Sequence, residues 1–300
     1  MSQFLSFGPL HLSRRRLLKL SAGALLGVAG GSLWPGRLAA ADVAFSPLKF
    51  AAINDLHYAD DDCAPFFEGL VKRLNAIDRL DFVLLVGDLT DNGRAGQAHA
   101  LHDILAKLAV PYHFVIGNHD YWSPTQREPF DGAFGEKLNY TLEVKGWQLV
   151  GLDTTDGVIW QNTSCRKHTL DFVATLPSKL DRNKPTLLFT HFPLGPGVTN
   201  RLVNADALLE PFKALNLAAI FNGHHHGMTD TRVLTKIIAT TYCCCSRKAV
   251  NHDNTLPKGF CLATTTDAGR VERTFIEYGT DFPGSARPAT QPATALPVAR

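Results

Sequence analysis

The sequence predicts an α/β protein built on two β-sheets, and three observations indicate this fold class. Over residues 48–221, short apolar runs typical of buried strands alternate with segments whose apolar residues have helical spacing. From residue 233 onward, strand-like segments follow one another and are joined by turns, which predicts antiparallel pairing. With 45% hydrophobic and 19% charged residues among 300, the chain has the composition of a globular protein with a sizeable core.

The predicted strands are runs of apolar residues, most of them bounded by Gly, Pro or polar residues. Phe82–Val86 is apolar throughout, which is typical of a parallel strand buried on both faces. Lys145-Gly146 and Asp267-Ala268-Gly269 each separate two such runs and predict hairpin turns. The ten predicted strands are 48–53, 82–86, 112–116, 140–144, 147–152, 186–190, 218–221, 233–240, 260–266 and 271–278.

The predicted helices have one apolar face. Phe67, Leu70, Val71 and Leu74 lie at offsets 0, 3, 4 and 7, which places them on a single side of a helix. The segment between the third and fourth strands is rich in Gly and predicts a loop. Four helices are predicted around residues 67–74, 101–108, 170–176 and 208–215.

Residues 1–41 predict an export signal. A basic start (Arg14–Lys19) precedes a weakly apolar, Gly- and Ala-rich run (Leu20–Leu33) and the small residues Ala39–Ala41. The paired arginines followed by Leu-Leu-Lys resemble the bacterial twin-arginine motif, with Leu17 where Phe is more usual. We therefore expect export by the twin-arginine machinery, cleavage after Ala41, and a periplasmic or secreted protein without a membrane anchor. The alternative is an uncleaved basic amphipathic anchor.

Two compositional features bound the mature chain. Residues 279–300 hold four prolines and almost no large apolar residues, so a disordered tail is expected after a single domain over residues 42–278. The first 41 residues carry a charge of +5, so the chain's net charge of +2 leaves −3 for residues 42–300. Because residues 42–300 are slightly acidic, they lack the basic surface that is typical of nucleic-acid-binding proteins, and we expect no stable nucleic-acid partner.

Six cysteines do not amount to a disulfide scaffold in a chain of this length. Cys243-Cys244-Cys245 lacks nearby partners at metal-ligand spacing. We expect one or two cysteines of this triplet to be buried and to pack as small hydrophobic residues. Pairing of one of the three with Cys165 or Cys261 stays open.

Five short blocks, each directly after a predicted strand, carry carboxylate, amide and imidazole groups. Because carboxyl ends of strands in open α/β sheets gather at one edge, the five loops are expected to converge on one pocket. Each block alone has an ordinary explanation, such as an Asx turn or a helix cap, but the set in this order predicts a metal site. The blocks are Asp55-Leu56-His57, Gly87-Asp88-Leu89-Thr90-Asp91, Gly117-Asn118-His119-Asp120, Thr190-His191-Phe192-Pro193 and Gly223-His224-His225-His226.

Counting ligands favours two metal ions over one. Seven candidates exceed what a single ion takes if it also keeps a water, whereas sharing Asp88 gives each of two ions four protein ligands. Two ions about 3.5–4 Å apart suit hydrolytic displacement at phosphorus. In Asp55-x-His57 and His224-x-His226, an extended backbone would turn both residues to the same side. The candidate ligands are Asp55, His57, Asp88, Asn118, His191, His224 and His226.

These motifs resemble those of the calcineurin-like metallophosphoesterase superfamily over roughly residues 48–278. The resemblance implies a four-layer α/β/β/α sandwich of two mixed sheets, with a dinuclear centre at one edge. It implies that His119 donates a proton to the leaving oxygen or steadies the phosphoryl group, and that Asp120 orients its imidazole. It also implies one ion held by Asp55, His57, Asp88 and His226, and another held by Asp88, Asn118, His191 and His224.

Particular residues indicate which branch of the superfamily this chain resembles. Purple acid phosphatases carry Gly in place of His57 and Tyr in place of Asp91, so an Fe(III)–tyrosinate centre is not expected. The run Gly87–Gly93 is similar to bacterial phosphodiesterases of the cyclic-nucleotide type. The predicted cofactors are two divalent or mixed-valence ions of Mn, Fe or Zn.

The sequence therefore predicts an enzyme that hydrolyses a small phosphate monoester or diester by means of a metal-bridging hydroxide. The alternatives are a non-catalytic metal-binding protein with the same fold and a nuclease for short oligonucleotides. Whether Tyr58 lines the pocket is left open. His225 is expected either to lie on the rim of the pocket or to contact the substrate. His99, His102, His113, His168 and His252 have no spacing partner and are expected outside the site.

Overall fold

Eleven strands form two β-sheets in the part of the chain that the structure describes. The computed structural model describes residues 45–235, 237–241, 251–252, 254–255 and 257–278. The strands are β1 (Lys49–Ile53), β2 (Phe82–Val86), β3 (Tyr112–Val115), β4 (Tyr140–Val144), β5 (Trp147–Leu152), β6 (Pro185–Thr190), β7 (Asn216–Asn222), β8 (Thr229–Val233), β9 (Ile237–Thr241), β10 (Gly259–Thr265) and β11 (Val271–Glu277).

Both sheets are mixed. The five-stranded sheet has the order β11-β10-β1-β2-β3, in which β1, β2 and β3 are parallel and β10 is antiparallel to both neighbours. The six-stranded sheet has the order β4-β5-β6-β7-β9-β8, in which β5, β6, β7 and β9 are parallel and the two edge strands are antiparallel.

Helices cover the sheets. The helix at Ala64–Asn75 begins with a proline in its first turn and buries Phe67, Leu70, Val71 and Leu74, as the spacing predicted. Within the described residues, three short 3₁₀ segments lie at Asp61–Cys63, Asn118–Asp120 and Glu210–Ala214. The α-helices are α1 (Ala64–Asn75), α2 (Ala95–Leu105), α3 (Glu128–Phe134), α4 (Lys167–Lys179) and α5 (Ala205–Leu209).

Alternating burial along the strands produces the four layers. On β2, Val83 and Leu85 pack with α1 and α2, while Phe82, Leu84 and Val86 pack against the other sheet. On β5 and β6 of the six-stranded sheet, one set of side chains packs with α4 and α5 and the alternate set enters the inter-sheet core. The arrangement is helix, sheet, sheet, helix, which confirms the predicted α/β/β/α sandwich.

The structure corrects four predictions about the secondary-structure elements and their pairing. The segment 233–240 is not one strand: Leu234 and Thr235 adopt positive φ (46° and 68°) and end β8 before β9 begins. The pairing there is not wholly antiparallel, because β9 runs parallel to β7. The Gly-rich segment after β3 contains α3, and the predicted helix over 208–215 is α5 followed by a 3₁₀ turn containing Pro211.

Several sequence predictions fall outside the described residues. These are the export signal, the C-terminal tail and the Cys243–Cys245 triplet. Cys63, Cys165 and Cys261 are buried, and no disulfide joins them to one another. Among the described helices, none has the length and apolar character needed to cross a membrane.

Candidate metal centre

The five predicted blocks meet where strands of both sheets end. Asp55, Asp88 and Asn118 follow β1, β2 and β3 of the five-stranded sheet, whereas His191 and His224 follow β6 and β7 of the six-stranded sheet. All five strands present their carboxyl ends to these loops, as the topology rule for parallel strands requires. The site is therefore assembled from both sheets.

Five of the seven predicted ligands lie on left-handed backbone. The expectation that Asp-x-His and His-x-His would be extended is wrong, because the two residues of each pair both have positive φ. Such conformations are uncommon for residues other than glycine and persist where the surrounding structure fixes them, often at active sites. The φ angles are 56° for Asp55, 48° for His57, 50° for Asp88, 68° for His224 and 47° for His226.

A first cluster of ligand atoms contains two carboxylates and two imidazoles. Potential ligand atoms of Asp55, His57, Asp88 and His226 all lie within 4.8 Å of one another, and all four residues are buried. His57 Nε2 lies 2.9 Å from His226 Nε2 and 3.6 Å from Asp88 Oδ2. His226 Nε2 lies 3.3 Å from Asp55 Oδ1. These four residues are the set predicted for one metal ion.

A second cluster shares Asp88 with the first. Ligand atoms of Asp88, His191 and His224 lie within 4.8 Å of one another, with His191 Nε2 at 3.3 Å from Asp88 Oδ2. Asn118 follows β3 and precedes His119, whose backbone N–H donates to Asp88 Oδ1. The side-chain Oδ1 of Asn118 is buried and has no hydrogen-bond partner among the described residues. An orphaned buried amide oxygen is costly unless it has a ligand, so the donor set fits a metal ion.

Two of these histidines are oriented by backbone carbonyls. His191 Nδ1 lies 3.1 Å from the Val86 carbonyl, and His224 Nε2 lies 2.8 Å from the Trp160 carbonyl. Metal-binding histidines commonly donate their second N–H to such an acceptor, which fixes the tautomer and leaves the other nitrogen for the metal. Gly87 permits this packing, because a Cβ there would collide with the His191 ring.

The charges of the site are strongly coupled. Burial raises the pKa of Asp88, but the imidazoles of His191 and His119 lower it by more, and it ends well below its usual value. Burial lowers the pKa of His191, but the carboxylates of Asp88 and Asp55 raise it by more, to about 9. Burial and the charge of His191 lower the pKa of His224 to about 4. The carboxylate of Asp88 is therefore anionic, and the imidazole of His191 must lose its proton when a metal ion binds.

His119 faces the cavity from the loop after β3. Its backbone N–H donates to Asp88 Oδ1 at 2.9 Å, and its ring Nδ1 lies 2.6 Å from the Asp91 carbonyl. Burial lowers the pKa of His119, but the Asp88 carboxylate and the Asp91 carbonyl raise it by more. With Nδ1 engaged by the carbonyl, Nε2 is the ring nitrogen left to carry a proton toward a substrate.

The predicted role of Asp120 is wrong, because its carboxylate holds the loop rather than the His119 ring. It accepts hydrogen bonds from Gly117 N (2.8 Å), Thr90 N (2.8 Å) and Thr90 Oγ1 (3.1 Å). The ring is oriented by the Asp91 carbonyl instead. Adjacent residues on a 3₁₀ turn point in different directions, so Asp120 and the His119 ring face different partners.

A cavity of about 80 Å³ opens onto these residues. Trp160, Asn200 and His252 were missed as lining residues because no metal-ligand spacing marks them. The His252 ring stacks on His226 at 4.5 Å, so the expectation that His252 lies outside the site is wrong. The cavity is lined by His57, Asp88, His119, Trp160, Asn200, His224, His226 and His252.

Two open candidates now have positions. Tyr58 is 1% exposed and packs against Phe67 in the core beneath α1, so it is a core residue rather than part of the pocket wall. His225 lies between two predicted ligands and is also buried.

Two mixed sheets bring buried carboxylates and imidazoles together at their shared edge, and this donor set suits metal-dependent hydrolysis. The family model described as calcineurin-like phosphoesterase matches residues 48–228, more than half of the chain, and the protein belongs to this family.

Similar proteins agree with this assignment. A probable cyclic nucleotide phosphodiesterase of Fibrobacter succinogenes is 25% identical over 255 residues, covering 78% of this chain and 91% of that protein. The glycerophosphodiester phosphodiesterase GpdQ of Enterobacter lignolyticus is 27% identical over 235 residues, covering 71% of this chain and 80% of that protein. A dimetal phosphatase from Danio rerio shares the fold, with a TM-score of 0.54, 17% identity and coverage of 72% of this chain and 92% of that one.

Proposed function

We propose that the protein is a phosphodiesterase whose active site holds two metal ions that share Asp88. The observation that carries the proposal is that, of three groups of potential ligand atoms among the described residues, the two that are wholly buried have Asp88 in common. In this assignment one ion is held by Asp55, His57, Asp88 and His226. The other is held by Asp88, Asn118, His191 and His224.

The chain's residues have distinct roles in this proposal. Bound metal ions supply Lewis-acid chemistry, lowering the pKa of water and polarising a phosphoryl oxygen. The buried carboxylates keep the site anionic, and the Val86 and Trp160 carbonyls orient His191 and His224. His119 holds a proton on Nε2 for the leaving oxygen, while the Asp91 carbonyl fixes its ring.

A diester substrate is favoured by the relatives. Two proteins that align with most of this chain are named for phosphodiester substrates, a cyclic nucleotide and a glycerophosphodiester. The ligand set of four imidazoles, two carboxylates and an amide suits Mn, Fe or Zn.

The proposed location is the periplasm or the cell exterior. Support comes from the sequence of residues 1–41, with its basic start, apolar middle and small residues before Asp42. In this proposal the twin-arginine machinery is the export partner and the mature protein carries no membrane anchor.

The function is tested with bis-p-nitrophenyl phosphate and p-nitrophenyl phosphate as the diester and monoester. The wild-type protein, reconstituted with Mn²⁺, should hydrolyse the diester faster. Asp88→Asn keeps the shape of the side chain but removes the shared charge, so metal content should fall from two ions per chain to at most one. Activity should fall by about 10³-fold, since a lost metal removes several kcal/mol of transition-state stabilisation.

Asp62→Asn is the matched control, because Asp62 is an exposed acid outside the two clusters. This variant should keep both metal content and rate. If the metal-loaded wild type hydrolyses neither ester, the proposed activity is wrong. If it prefers the monoester, the assignment as a phosphodiesterase is wrong.

A further inference from the structure

Exposed apolar side chains gather on loops beside the cavity. Among the described residues, the large apolar side chains that are exposed are Trp122, Val158, Ile159, Trp160 and Val203. We call the last four the apolar lip. They lie on two loops that follow neighbouring strands, β5 and β6.

Hydrogen bonds join the two loops of the apolar lip. The backbone N–H of Val203 donates to the Thr163 carbonyl at 2.8 Å, and Thr163 Oγ1 donates to the Ile159 carbonyl at 3.0 Å. Both loops also reach the cavity, because Trp160 and Asn200 line it. The lip is therefore continuous with the wall of the proposed active site.

Trp160 is the residue that connects the lip to the metal ligands. Its backbone carbonyl accepts a hydrogen bond from His224 Nε2 at 2.8 Å, while 53% of the residue is exposed. The backbone is thus fixed at the site and the indole is available to a ligand. An exposed aromatic side chain at the edge of a cavity can contact a bound ligand.

The size of the cavity indicates what lies over the lip. A pocket that encloses a drug-sized ligand has a volume of about 300–1,000 Å³. The cavity here is about 80 Å³, well below that range, so it does not enclose the organic groups of an ester. The organic group that is not cleaved must extend over the surrounding loops, where the lip offers apolar surface and the nearby charges of Asp156 and Arg166 are paired with each other at 2.9 Å.

We propose that the apolar lip binds the uncleaved organic group of the substrate and selects esters in which that group is apolar, with Trp160 as the main specificity residue. This inference rests on the proposed phosphodiesterase function. Burial of an apolar group against Trp160 and Ile159 is favourable in proportion to the area removed from water. A charged or polyol group gains nothing from that contact.

The test compares two diesters with the same p-nitrophenolate leaving group, phenyl p-nitrophenyl phosphate and methyl p-nitrophenyl phosphate. The Mn²⁺-loaded wild type should have the higher kcat/KM for the phenyl ester. Trp160→Ala keeps the carbonyl that holds His224 and should lower kcat/KM for the phenyl ester about tenfold. The methyl ester should lose less than the phenyl ester does, because a methyl group buries little area against the indole.

Two variants control for the loss of a tryptophan. Trp160→Phe retains an aromatic face and should keep the preference for the phenyl ester. Trp122→Ala removes a residue that is 55% exposed and whose indole donates to Gln126, away from the cavity lining, and should leave both esters unaffected. If Trp160→Ala lowers both esters equally, or the wild type shows no preference, the proposal is wrong.

Binding measured by calorimetry separates this proposal from the proposed function. Phenylphosphonate should bind the metal-loaded protein more tightly than methylphosphonate, and Trp160→Ala should remove the difference. That result without hydrolysis of either ester supports the lip and overturns the phosphodiesterase assignment. Hydrolysis without any preference in binding overturns the lip alone. If Trp160→Ala weakens binding to phosphatidylglycerol vesicles but not ester selectivity, the lip is a membrane contact and the proposal is wrong.

Discussion

Asp55 joins the two sheets and also belongs to the candidate metal site. Its backbone N–H donates to the Gly87 carbonyl at 3.1 Å, and its two carboxylate oxygens accept the backbone N–H of His224 at 2.9 and 3.0 Å. Asn54 also donates to this carboxylate. Left-handed backbone costs on the order of 1–3 kcal/mol per residue. These hydrogen bonds are what fixes it at Asp55 and His224.

Substitution of His119 distinguishes proton donation from binding of the phosphoryl group. His119→Gln should lower kcat by about 10²–10⁴-fold for a diester with an alkyl leaving group, because general acid catalysis contributes that much. The decrease in kcat should be much smaller for a p-nitrophenyl ester, because p-nitrophenolate departs without a proton. Metal content, measured by mass spectrometry, should stay the same. Equal losses on both esters would show that His119 steadies the phosphoryl group instead.

The pKa of His191 predicts how metal affinity depends on pH. Because the Asp88 and Asp55 carboxylates outweigh burial and raise this pKa to about 9, the ring is protonated at neutral pH before metal binds. A ligand imidazole must be neutral, so binding expels that proton and the affinity for Mn²⁺ should rise as pH increases from 6 towards 9.

Titration calorimetry in buffers of different ionisation enthalpy counts the protons released. His224, whose pKa is lowered to about 4 by burial and by His191, is already neutral and should release none over this range. A Mn²⁺ affinity that stays constant between pH 6 and 9 would contradict the prediction.

At the scale of elements, the inter-sheet core aligns the two halves of the site. Phe50 of β1 stacks on Phe82 of β2 at 4.9 Å and meets Phe221 of β7 edge-on at 5.3 Å. Asp55 and Asp88 follow the first two strands, and His224 follows the third. The packing of these three rings therefore sets the spacing between ligands from different sheets.

Removal of one ring should weaken both stability and metal binding. Phe50 is fully buried, so Phe50→Ala should lower the free energy of unfolding by about 3–5 kcal/mol in urea denaturation of the metal-free protein. Mn²⁺ affinity should fall as well. Thr141→Ala, at an exposed position of edge strand β4, should change the free energy by less than about 0.5 kcal/mol. Unchanged metal affinity in a destabilised Phe50→Ala protein would show that the rings do not position the ligands.

Strands were predicted well because their signal is local. Phe82–Val86, Tyr140–Val144 and Trp147–Leu152 have the predicted bounds, since each is a short apolar or alternating run between polar residues. The break at Leu234 and Thr235 was missed because neither residue is a usual turn former, and a left-handed conformation there has no local signal. Helix α3 was missed because its glycine and proline suggested a loop.

In the candidate site too, features with a local sequence signal were predictable and features set by distant contacts were not. Residue types and their place after strands were sufficient to predict that these side chains lie together, and their role as metal ligands stays a prediction. The orientation of side chains was not predictable, because Asp120 points to Thr90 and Gly117 through bonds made by distant loops. Trp160 reaches the cavity from the loop after β5, which carries no candidate ligand, and Asn200 reaches it from the loop after β6, far along the chain from His191, so no ligand spacing marks either residue.

At the scale of the whole molecule, the charge distribution separates residues 1–41 from the rest. All five charged residues of that segment are basic, and the remaining chain carries −3. The arginine motif rather than the positive charge should direct export, because the twin-arginine route recognises the paired arginines themselves. Replacing Arg14, Arg15 and Arg16 with lysine keeps the charge and separates the two explanations.

In a bacterial host, the wild-type protein should be recovered from the periplasm with Asp42 as its first residue. The triple-lysine variant should remain in the cytoplasm at full length. Cell fractionation with N-terminal sequencing checks both outcomes, and metal content of the cytoplasmic variant tests whether loading precedes export. Equal export of the variant, or a periplasmic protein that begins before residue 30, would contradict the twin-arginine assignment, because lysine preserves the charge but not the motif.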